Sequence, residues 1–296
     1  MRVQAVLIVG CGDVGERVGT AWRRRGATVR GLVRTPERAA ALRALKIAPC
    51  IADLDDPQSL RALGTGDALV YYLAPPPAAG LRDTRMQAFL EALPADAPPR
   101  RVVYISTTGV YGDRAGEWVD EDTPASPGAD RARRRLDAET ALLEWGRRAG
   151  VPVVVLRVAG IYGPGRLPVD RLRRGEPVLR ERESGFTNRV HIHDLVRVCV
   201  AAGERGDAGI YNVSDGSPGT MTGYFNAVAD ALGMPRPPAI PLAEAAGRLS
   251  EGMLSYLRES RRIDNRRMRE VLGVSPDYPD LASGLAAIVA GGDDLS

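Results

Sequence analysis

The sequence predicts an α/β fold, a doubly wound parallel sheet with a small, mainly helical lobe attached. Three observations predict it. Four apolar residues, Val6 to Val9, run into glycines at 10, 12 and 15, after which apolar positions take helical spacing through Val14, Val18 and Trp22. Short apolar runs then alternate with helical stretches through about half the chain, the pattern of strands joined by crossover helices. Beyond residue 160 that alternation loosens into polar, arginine-rich and helical segments.

The opening stretch reads as strand, tight turn and helix. Gly10, Gly12 and Gly15 are spaced G-x-G-x-x-G: the first allows the turn, the second lets backbone approach a pyrophosphate, and the third lets the helix pack closely on the strand. Amides at the helix start, including those of Asp13 and Val14, then face the anion. This is the fingerprint of a Rossmann dinucleotide site, and its place before a second strand, Thr28 to Val33, supports that reading. An acidic residue at the end of that second strand would favour NAD, whereas an arginine can pair with the extra phosphate of NADP. The strand end here carries Arg34, with Arg38 one turn later, so NADP is expected ahead of NAD.

A third strand, Ile47 to Ile51, leads to Asp53 and Leu54, placed to flank an adenine ring, although Asp53 also suits the cap of a helix starting near Pro57. The fourth strand, Ala68 to Leu73, ends in Ala74, Pro75, Pro76 and Pro77, a stiff loop at the carboxyl edge of the sheet, where ligands of such sheets sit. The fifth, Arg101 to Ser106, runs into Thr107, Thr108, Gly109, Val110 and Tyr111, placing hydroxyls where substrate would meet a nicotinamide. Helical spacing follows from Leu136 to Trp145, and then a buried strand from Val151 to Val158. Two more short strands, Arg189 to Ile192 and Gly209 to Val213, flank a helix from Asp194 to Ala202. These boundaries assign residues 1–160 and 189–215 to the nucleotide-binding domain, and 161–188 with 216–296 to a substrate lobe assembled after the sixth and seventh strands.

Composition narrows the function classes. A formal charge of +3 with acidic and basic residues interspersed argues against nucleic acid or a membrane surface as partner. Cys11, Cys50 and Cys199 are too few and scattered for a disulfide framework or a cysteine-ligated zinc site. No leader or membrane-spanning apolar run is visible, so a cytoplasmic protein is expected. His191 and His193 suit a cap or substrate-loop role rather than a metal, and no metal is expected. Lys46 is the only lysine. The run Arg131, Arg133, Arg134 and Arg135 puts 131 and 135 on one helical face, either solvated or an anion site. Arg166, Arg171, Arg173 and Arg174 could recognise a diphosphate.

Five segments, GCGDVG at 10–15, YISTTGVYGD at 104–113, LRVAGIYGPGR at 156–166, NRVHIHDLV at 188–196 and YNVSDG at 211–216, occur in the order and spacing of one family. The chain resembles the extended short-chain dehydrogenase/reductases, specifically their NAD-dependent epimerase/dehydratase branch. The resemblance implies an NAD(P) site and a small-molecule substrate, a carbonyl compound or nucleotide sugar. It places Ser106 against the cofactor and Thr108, Tyr162, Asn188 and Arg189 against substrate. The chain is also compatible with a homodimer.

Family members pair a Ser or Thr with a Tyr-x-x-x-Lys motif. The hydroxyl residue corresponds here to Thr107, but aligning Leu136 and Glu139 with the family's helix puts Arg131 at the tyrosine and Arg135 at the lysine. Arg135 can supply positive charge and ribose hydrogen bonds. Arg131 cannot exchange a proton, because a guanidinium stays protonated at any working pH. Two readings follow: an atypical oxidoreductase or epimerase-like enzyme with another acid/base, Tyr111 first and Tyr162 second, or a catalytically silent NADP-binding sensor or scaffold.

Overall fold

The computed structural model describes residues 3–249 and 251–292. Strands β1 (Ala5–Val9), β2 (Thr28–Val33), β3 (Ala48–Ile51), β4 (Leu69–Tyr72), β5 (Arg101–Thr107), β6 (Val153–Val158) and β7 (Gly209–Val213) form one seven-stranded sheet. Its order is 3-2-1-4-5-6-7, and every neighbouring pair is parallel. The order reverses between β1 and β4, so the ends of these two strands open a crevice at the carboxyl edge.

Burial on both faces explains the unbroken apolar runs. Along β1, Val6 and Ile8 join a cluster with Val18 and Trp22 of α1 (Asp13–Arg24) on one face, whereas Leu7 and Val9 join Phe89 and Leu142 on the other. Each such side chain contributes roughly 1.5–3 kcal/mol by leaving water. Buried polar groups are matched where they occur: the Trp22 indole donates to the Tyr71 hydroxyl at 2.8 Å, which donates to the Cys199 carbonyl at 2.8 Å.

The helices α2 (Pro36–Ala44), α3 (Thr84–Glu91), α4 (Asp130–Ala149) and α5 (Ile192–Glu204) complete the two layers. Thr35 caps α2 and Asp83 caps α3. Near Pro57 the chain forms a short 3₁₀ turn capped by Asp56, not Asp53, whose Oδ1 instead accepts the Asp55 amide at 3.0 Å. The lobe has its own core, in which Tyr162 and Leu172 pack on Phe225 and Val228 of α6 (Met221–Ala231) and Leu285 and Ile288 of α7 (Leu281–Gly291). One segment expected in that lobe packs elsewhere: Met268, Leu272 and Val274 belong to the cluster against the main sheet, because their apolar face covers β7 and α5. Among the described residues no helix is long and apolar enough to cross a membrane.

Candidate active site

Two clefts meet at the carboxyl edge of the sheet. The first, about 500 Å³, lies over the glycine turn. Gly10 has φ +82°, and a Cβ there would stand 2.5 Å from the backbone of Ala74, so the turn lies hard against the end of β4. A Cβ on Gly15 would come within 3.0 Å of Ile8, which brings α1 down onto β1. Gly12 differs: a Cβ there meets nothing within 4 Å, and as the N-cap of α1 it offers no side-chain cap. The amides of the first helical turn therefore face the cleft uncapped, with the positive end of the helix dipole behind them.

Gly10, Gly12, Asp13, Val14, Gly15, Arg34, Arg38, Asp53, Leu54, Ala74 and Pro75 all line this cleft. Arg38 is tethered to Glu16 and reaches the Cys11 carbonyl at 3.5 Å, while Arg34 is exposed at the end of β2. Cys11 itself is buried, and that burial pushes its thiol up to about 12. Two further arginines join the lining. Arg85 grips Asp55 at 2.8 Å and the Pro75 carbonyl at 3.2 Å, fixing the proline loop and holding the Asp55 carboxyl below its ordinary range. Arg166 reaches across from the lobe to Asp13 at 2.7 Å, at the mouth of the glycine turn. Burial alone would raise the Asp13 carboxyl, but Arg17 and Arg166 together hold it low.

The second cleft, about 520 Å³, is enclosed by the turn after β5, the start of α4 and the lobe. Thr107, Thr108, Arg131, Arg135, Asn188 and Arg189 line it. Thr107 Oγ1 accepts the Gly109 amide at 3.1 Å, which fixes the hydroxyl at the strand end. Arg135 sits where the clefts join, since its Nη1 donates to the Ala74 carbonyl at 3.3 Å, the Ile105 carbonyl at 3.0 Å and the Tyr104 hydroxyl at 3.3 Å. Burial pushes that Tyr104 hydroxyl up to about 12 in spite of the guanidinium. Asn188 is buried, and its amide is spent on the Arg261 carbonyl and the Ile263 amide, both at 3.0 Å, so it braces the lobe's return strand. Arg189 lies over the Tyr224 ring at 4.3 Å.

Three residues expected at the reaction centre are not brought to either cleft. Ser106 is buried and donates to Glu139. Tyr111 is wholly buried, because the 3₁₀ turn Thr108–Tyr111 rotates it inward, and its hydroxyl donates to Asn212 Oδ1 at 2.7 Å. Burial raises its phenol. Tyr162 is likewise wholly buried in the lobe core, with its hydroxyl on the Asp280 carbonyl at 3.2 Å. Ser106 and Tyr111 instead frame a buried ion pair, Glu139 with Arg157 at 2.7 Å, and the Arg157 guanidinium stacks 4.7 Å from the Tyr111 ring. Residues absent from the sequence-based site include Tyr224, Tyr256, Glu259 and Arg261, all in the second cleft.

The histidine segment forms a clamp. His191 Nδ1 accepts the His193 amide at 3.2 Å, as a helix cap does, and His193 Nε2 meets Asp277 at 3.0 Å. Arg197 holds both Asp194 and Asp277 at 2.9 Å, which joins α5 to the chain leading into α7.

A family model described as the NAD dependent epimerase/dehydratase family matches residues 6–214. A 3-diazoavenalumate denitrifying reductase of a Streptomyces species is 28% identical over 95% of this chain and 98% of its own length. The solved structure of a functionally unknown conserved protein from Silicibacter pomeroyi superposes with a TM-score of 0.84 at 31% identity, covering 98% of this chain and all of the other. That of MoeE5 in complex with UDP-glucose and NAD gives 0.74 at 25% identity, covering 97% of each. The glycine turn, the sheet order and these matches together make the chain a member of the NAD-dependent epimerase/dehydratase family.

Proposed function

We propose that the protein is an oxidoreductase that binds a nicotinamide dinucleotide over the glycine turn and exchanges hydride with a small carbonyl or similarly unsaturated substrate in the adjoining cleft. The observation that carries this reading is the junction at Arg135, which is bonded to Ala74 on the rim of the first cleft and itself lines the second. The reductase relative and the NAD-bound MoeE5 structure support it. The first cleft suits the dinucleotide because its centre is the open face of Gly12 and an uncapped helix start. Arg34 just after β2 and Arg38 in the first turn of α2 favour a 2′-phosphate, and hence NADP over NAD.

The cofactor, when bound, supplies or accepts the hydride. Thr107, with Oγ1 fixed by the Gly109 amide, keeps its proton and uses it to donate a hydrogen bond to a substrate oxygen. In this reading Arg131 and Arg135 occupy the places of the family's tyrosine and lysine, and the fixed positive charge of Arg135, at the junction of the clefts, stabilises negative charge developing on that oxygen. Neither guanidinium releases a proton, so the proton that completes the reaction comes from water entering the open cleft. Purified protein with NADPH and a panel of aldehydes, ketones and nucleotide sugars tests this by loss of reduced-nicotinamide absorbance. Turnover on any member that falls in Thr107→Val supports the reading.

A second reading, a silent NADP-binding sensor, is favoured by the placement of the Tyr111 and Tyr162 hydroxyls on partners away from the cleft. Tight NADPH binding with no turnover across the whole panel selects it.

A further inference from the structure

Three guanidiniums of the second cleft, those of Arg131, Arg135 and Arg189, form no ion pair among the described residues, although Asp215 acts on Arg189 and Asp83 on Arg135 at longer range. Other guanidiniums around the two clefts are paired, Arg85 with Asp55, Arg166 with Asp13 and Arg261 with Glu259, whereas Arg34 of the first cleft likewise has no ion pair among the described residues. A guanidinium in a half-buried cleft gives up hydration without an ion-pair partner to offset it, so an entering anion is favoured there.

Arg131 is also held in one orientation. Its guanidinium carbon lies over the Tyr256 ring, 4.0 Å from the centroid, and its Nη1 donates to Ser255, which leaves the Nε and Nη2 edge without a partner among the described residues. That edge is a planar two-donor fork, the shape that a carboxylate accepts in bidentate fashion. Arg189 repeats the theme on the ring of Tyr224, with Nη1 on the Asn188 carbonyl at 3.0 Å and Nη2 against Met221 sulfur at 3.3 Å. Each cation thus stands against a tyrosine ring in the cleft wall, an apolar surface beside a charged one, which suits an apolar body carrying a charged end.

We propose that the second cleft is a receptor for small planar carboxylates, arene or enone acids, whose carboxylate docks on the free edge of Arg131 with Arg189 as the supporting cation. On this proposal the residue standing at the tyrosine position acts in substrate recognition. The proposal rests on the reading of the first cleft as the dinucleotide site only in naming this ligand as substrate.

Calorimetry with cinnamate, its neutral amide and uridine diphosphate as probes tests it, each titrated into the full chain with and without NADPH. Cinnamate is expected to bind at least about tenfold more tightly than cinnamamide, a difference of about 1.4 kcal/mol. Arg131→Gln, a change in the first turn of α4, is expected to reduce that preference to within about twofold and to leave NADPH affinity unchanged. Equal binding of acid and amide, no binding of either, or uridine diphosphate binding more tightly than cinnamate in an Arg131-dependent manner would each overturn the proposal. Loss of NADPH binding alone, with the acid preference intact, overturns the dinucleotide reading and not this one.

Discussion

Replacing Gly12 with valine separates binding from folding. Gly12 has φ −92° and ψ −157°, an extended conformation open to any residue, and a Cβ there touches nothing within 4 Å. The folded protein therefore loses only the difference between glycine and valine at a helix N-cap, about 1 kcal/mol. For a chain of this size that lowers the melting temperature by roughly 2–4 °C. The branched side chain nevertheless fills the space in which a diphosphate must approach the first amides of α1. Losing two hydrogen bonds to a charged group, at about 1.5–3 kcal/mol each, weakens binding by at least about 100-fold. Calorimetric titration of NADPH into wild type and Gly12→Val, beside thermal melts of both, reads the two effects separately. A variant that binds NADPH within about threefold of wild type would refute the placement of the diphosphate.

Removing one partner of the buried Glu139–Arg157 pair by Glu139→Gln should cost about 3 kcal/mol, the lower end for a broken buried pair because the amide still accepts a hydrogen bond, seen as a lower urea midpoint. Arg34→Ala should weaken NADPH about tenfold and leave NADH unchanged, as paired titrations will show. Burial pushes the Asp215 carboxyl from 3.8 up to about 7, so the folded state holds the extra proton and this group costs stability progressively as pH rises between those values. Asp215→Asn keeps the acceptor for the Ser217 amide and should remove that decline, so the variant gains on wild type as denaturation is followed from acid to neutral pH.

The fold was legible wherever local pattern decides structure. The sequence-based bounds of β2 and β7, Thr28 to Val33 and Gly209 to Val213, coincide with the observed strands because a glycine near each start and β-branched or aromatic residues such as Val29, Val33, Ile210 and Tyr211 mark a short strand. The glycine turn was legible for the same reason, since spacing alone fixes its geometry. Helix α3 was not, because only Met86 and Phe89 mark its buried face within eight residues that follow a proline-rich loop. Tyr111 misleads because nearness to Thr107 in sequence says nothing about a 3₁₀ turn that rotates its ring inward. The walls of the second cleft come from residues such as Arg131, Arg189, Tyr224 and Tyr256, which only tertiary packing brings together. Met268, Leu272 and Val274 likewise show that chain order does not decide which core a segment joins.

The central claim is that the crevice between β1 and β4 holds a phosphorylated dinucleotide. Titration calorimetry of the unmodified chain with NADPH and with NADH tests it most directly. The structure predicts saturable one-to-one binding of both, tighter for NADPH, and absence of heat for either at millimolar ligand would contradict it.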